Sequence, residues 1–69
     1  MNQRKTISEI RRETAKHFTK AVNRAGLAEL YSLEKKITRH YNAGTLSQAD
    51  FRRLDVLIME EIARFDCLV

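Results

Sequence analysis

The chain has 69 residues, of which 43% are hydrophobic and 32% charged, and a formal net charge of +4. That length leaves room for one core and no second domain, because so short a chain buries only about 60% of the surface it exposes when unfolded. The single cysteine, Cys67, excludes an internal disulfide, and the lack of a long apolar run or a signal-peptide pattern argues against membrane spanning and export.

Cys67 also stands one place too late for a prenylation box, so no lipid anchor is expected. The expected location is a reducing cytoplasm, that of the host cell if the chain comes from a phage. Cores of this size supply about 3 to 5 kcal/mol unless disulfides, a metal or association add to them. Association is the source expected here.

Proline is absent and only Gly26 and Gly44 occur, so the chain holds few helix breakers. Its apolar residues recur at three and four positions, not two. The reading is an all-α fold of three helices, a single domain over residues 1–69 with residues 1–5 flexible.

The first helix is predicted to begin at Thr6, with Glu9 three residues on completing a capping box. Its apolar line is Ile7, Ile10, Phe18, Ala21, Val22 and Ala25, a thin face that Thr14 interrupts. Residues 1–25 hold seven bases against Glu9 and Glu13, a balance of +5 that exceeds the net charge of the whole chain. Arg12, Lys16, Lys20 and Arg24 follow one another at spacings of four and form a slanted basic band opposite Ile7, Ile10 and Phe18. Like charges at that spacing cost an isolated helix roughly 0.2 to 0.5 kcal/mol per pair, so the band favours a negative partner such as nucleic-acid phosphates or an acidic protein surface. A simply solvated face is the plain alternative. A membrane surface is disfavoured, because the apolar side lacks the Trp and Leu content of an interfacial helix.

The second helix is expected from about Leu27 to Tyr41, with Leu30, Leu33, Ile37 and Tyr41 turned inward. Gly26 either ends the first helix or bends a longer one, and both alternatives remain open at this level. Gly44 supplies the left-handed residue that closes the second helix, Ser47 caps the next with Asp50 as its acid, and Leu46 with Phe51 has the spacing of a hydrophobic staple. The second and third helices are therefore expected to form an antiparallel hairpin.

A helix closing on Gly44, followed by Leu46-Ser47 and then Asp50-Phe51, resembles the short bacterial hairpin domain associated with oligomerisation, SHOCT, over roughly residues 30–62. The resemblance implies self-association and no chemistry. In style, a small basic chain is also similar to accessory proteins of phages and other mobile elements that modulate host factors.

The third helix, about Gln48 to Asp66, places Phe51, Leu54, Leu57, Ile58, Ile62 and Phe65 on one broad face. Val56 and Met59 fall outside it, and Tyr31 lies toward the edge of the second helix's apolar face. These three are the candidate contacts for a partner or a second copy. A homodimer is favoured, as two hairpins in a four-helix arrangement with the first helices as arms.

Catalysis finds no support in the residue pattern. His17 and His40 stand 23 positions apart, the first expected to pair with Glu13 and the second to favour a helix C-terminus. Cys67 reads as a small apolar tail residue, and no convergent ligand set, glycine-rich phosphate loop or paired-acid pocket appears. No catalytic, cofactor or metal site is expected. The reading is a small regulatory or adaptor protein acting by protein–protein binding, with a nucleic-acid-binding protein that uses Arg12, Lys16, Lys20 and Arg24 on phosphates as the alternative.

Overall fold

A computed structural model describes residues 5–67. They form three helices, α1 (Ile7–Arg24), α2 (Leu27–Ala43) and α3 (Gln48–Cys67), with no strand among the described residues. The expected flexibility of residues 1–4 lies outside that range; Lys5, by contrast, is paired with the Glu13 carboxylate.

Each helix end has a local cause. The Glu9 N–H donates to Thr6 Oγ1 at 3.2 Å, so Thr6 caps α1 through the hydroxyl half of the expected box. Ala25 and Gly26 both lie in the extended region, with ψ of 143° and 176°. Two such residues cannot continue a helix, so Gly26 marks a true break. Gly44 has φ of 85°, its N–H donates to Tyr41 O at 3.1 Å, and the Thr45 N–H donates to His40 O at 3.0 Å. That bonding is a complete Schellman closure, which needs a left-handed residue where Gly44 stands. Ser47 then caps α3, accepting from the Asp50 N–H at 3.2 Å while its hydroxyl donates to the Asp50 carboxylate at 3.0 Å.

Arg11 near the start of α1 bonds Gly44 O past the end of α2, and Phe18 meets His40 edge-on at 5.1 Å. These contacts run α1 antiparallel to α2. At the opposite end Arg24 shares one hollow with Glu29 and another with Glu61, while Tyr41 stacks on Phe51 at 4.4 Å beside the turn. The chain therefore goes up, down and up, with α2 and α3 as a hairpin and α1 parallel to α3.

Among the described residues eight side chains form the buried core: Ala15, Phe18, Val22, Leu30, Ile37, Leu46, Leu54 and Ile58. Three of them come from α1, so this helix is part of the bundle and not a free arm. Its apolar line differs from expectation. Ile7 is 51% exposed because it is the first residue of the helix, with no helical turn before it to shelter it, and Ala15 takes its place inside. Leu46, a loop residue, is as buried as Ile37, which follows from its staple position between α2 and α3. The molecule measures 52 × 22 × 15 Å with a radius of gyration of 13.3 Å, where about 11 Å is typical of this length. An elongated bundle presents much surface for its mass, and its faces dominate what it can do.

A candidate anion-binding groove

An open groove of about 880 Å³ lies between α1 and the first turns of α3. Arg11, Arg12, Lys16 and Lys20 line it from α1, together with Ser8, Ala15 and Thr19; α3 contributes Asp50 and Arg53, and Ser47 stands at its cap. Five cations face one carboxylate, a balance equal to the net charge of the whole chain, +4.

Helix geometry explains which bases gather here. Four residues turn an α-helix by about 400°, so the basic band rotates about 40° per step and about 120° from Arg12 to Arg24. Arg12, Lys16 and Lys20 remain beside α3. Arg24, at the far end of α1, lines one hollow with Glu29 of α2 and another with Glu61 of α3, and takes no part in the groove.

Two groove residues come from outside the band. Arg11 precedes Phe18 by seven residues, about 20° from it around the helix, and so projects from the core side of α1. Its Nε donates to Gly44 O at 3.0 Å, satisfying a carbonyl at the closure of α2. Arg53 reaches across from α3: its Nη2 donates to Thr19 Oγ1 at 3.1 Å and its Nε lies 3.6 Å from the Asp50 carboxylate. The Thr19 hydroxyl in turn donates to Ala15 O at 2.8 Å. A chain of polar contacts thus links the Ser47 cap, Asp50, Arg53 and Thr19, and it holds the Arg53 guanidinium on the groove wall. The seven-residue offset of Arg11 from Phe18 was visible in the sequence; the approach of Arg53 depends on how α1 lies on α3 and was not.

Other candidates sit apart. Tyr31, Val56 and Met59 are 52%, 55% and 63% exposed, outside the core as expected, and none lines the groove. Glu13 bonds Lys5, not His17, and that hydrogen bond raises the pKa of the Lys5 ammonium above its ordinary value. His40 Nδ1 lies 2.7 Å from Thr45 Oγ1, and the same hydroxyl lies 3.1 Å from His40 O. Cys67 is exposed at the end of α3. Among the described residues no three His, Cys, Asp or Glu side chains converge as metal ligands, and no helix is long and apolar enough to cross a membrane.

No family model, curated protein or solved structure matches the chain significantly. The likeness of residues 30–62 to the SHOCT hairpin rests on the turn residues alone.

Proposed function

We propose that this protein is a small, non-enzymatic binding protein that engages nucleic-acid phosphates through the α1–α3 groove, and so regulates access of larger proteins to the same nucleic acid. One observation carries the reading: Arg11, Arg12, Lys16, Lys20 and Arg53, from two different helices, share a groove with a single acid. Cations so placed repel one another, and a polyanion relieves that repulsion while releasing its own condensed counterions. The Ser8 hydroxyl adds a neutral donor of the kind that contacts phosphate oxygens.

The test is fluorescence anisotropy with labelled DNA and RNA across a salt titration, on the wild type and on Lys16→Glu with Lys20→Glu. Binding that weakens steeply with salt and is lost in the double variant is the expected result. Absence of binding at low salt overturns the reading.

A second reading is an adaptor that contacts a protein, including a second copy of itself. What favours it is the exposure of Val56 and Met59, three residues apart on the outer side of α3, together with a core of only eight side chains. The SHOCT resemblance points the same way. Sedimentation of the wild type beside Val56→Glu with Met59→Glu tests it, with a dimer mass reduced to 8.1 kDa as the supporting outcome.

A further inference from the structure

We infer that the ligand of the groove is duplex DNA, gripped through its backbone without regard to base sequence; this rests on the phosphate reading above and narrows it. Three observations lead there.

The first is what the groove lacks. No aromatic ring or histidine lines it. Tyr41 and Phe51 are stacked on each other, Phe18 is buried against His40, and Tyr31 sits on α2. Proteins that hold single strands combine a basic track with rings on which bases stack, each worth about 1 to 3 kcal/mol. This groove has the track without the platform. Of the three arginine planes that could substitute, Arg11 is engaged with Gly44 O and Arg53 with Thr19, which leaves Arg12 alone and no succession of platforms.

The second is charge density. Arg12 to Lys20 span eight residues, about 12 Å along α1. Over that length a duplex presents about seven phosphates from its two strands, while one strand presents about half as many and has to be ordered before it can bind. Five cations on two walls, with Arg11 and Arg53 held by hydrogen bonds, match the denser, rigid array.

The third is reach. Recognition of double-stranded RNA by shape spans about 16 base pairs and two successive minor grooves. A 12 Å array cannot bridge them, whereas backbone contact with B-form DNA needs only a few adjacent phosphates. The α3 N-terminus is not counted as a further phosphate site, since the Ser47 hydroxyl caps it and the Asp50 carboxylate lies in its first turn.

The experiment is anisotropy at low salt with four probes of equal length: a DNA duplex, its scrambled-sequence counterpart, one of its single strands and the RNA duplex. The two DNA duplexes are expected to bind equally, about tenfold or more tighter than the single strand, with a log–log salt slope of about −3 to −4. Lys16→Gln with Lys20→Gln, which removes charge without reversing it, should lower that slope by about two. Equal or tighter binding of the single strand or the RNA duplex overturns the inference and leaves the phosphate reading standing. A strong preference between the two DNA sequences overturns the claim of backbone recognition. No binding to any of the four overturns both.

Discussion

Arg53 donates to the Thr19 hydroxyl at 3.1 Å, and this is the contact by which α3 closes the groove wall begun by α1. Its neighbours are polar and partly exposed, so its value for stability is small. Arg53→Ala should cost less than about 1 kcal/mol in urea denaturation. The same change should lower the salt slope of DNA binding by about one, because one cation leaves the groove. Arg53→Lys keeps the charge and should keep the slope. If Arg53→Ala leaves binding untouched at every salt concentration, Arg53 is not part of the contact surface.

The two glycines should respond in opposite directions. Gly44 sits at φ of 85°, where a Cβ is strained even with open space around it, so Gly44→Ala should cost roughly 1 to 2 kcal/mol. Gly26 has ordinary extended angles and makes no side-chain cap for α2, and a Cβ there would meet only Glu29 Oε1, at 3.9 Å. Gly26→Ser supplies the missing cap with Glu29 three residues on, as in a capping box. It should add about 0.5 to 1 kcal/mol. Denaturation midpoints of the two variants, measured side by side, check both signs.

Phe18 and Leu54 should be indispensable. Truncating a buried phenylalanine or leucine costs about 2 to 5 kcal/mol, which rivals the whole stability expected of a core this small. Phe18→Ala and Leu54→Ala should therefore lose most of their helical circular dichroism at room temperature. A cooperative, folded Leu54→Ala protein would show that association or another source supplies stability beyond the eight-residue core.

Val56→Glu and Met59→Glu should be nearly neutral for folding, within about 0.5 kcal/mol, since both side chains already face solvent. Thermal melts at two protein concentrations separate folding from association: a melting temperature that rises with concentration in the wild type and not in the double variant marks the outer face of α3 as an interface.

Local signals were legible in the sequence and tertiary ones were not. Thr6, Gly44, Ser47 and the Leu46–Phe51 staple act over a few residues, and each stands where its chemistry places it. The break at Gly26 was ambiguous because a glycine inside a helix costs only about 1 kcal/mol, and it was settled by Ala25 and Gly26 lying extended together. Ala15 carries too weak an apolar signal to be picked over Ile7, although it is the residue that goes inside. The basic band reads in sequence as one stripe of four, yet Arg24 lies past the groove at the far end of α1, and only the packing of α1 on α3 brings Arg53 in.

The odd number of helices has an electrical consequence. In the up-down-up arrangement α2 cancels the dipole of one neighbour and leaves the other uncompensated, with the positive ends of α1 and α3 together at the end where the groove begins. Glu29, Glu60, Glu61 and Asp66 lie toward the opposite end, on the first turn of α2 and the last turns of α3. Backbone and side chains are thus polarised in the same direction along a body 52 Å long. In the field of a polyanion such a molecule experiences a torque before it makes any contact, and it arrives already turned with its basic end forward.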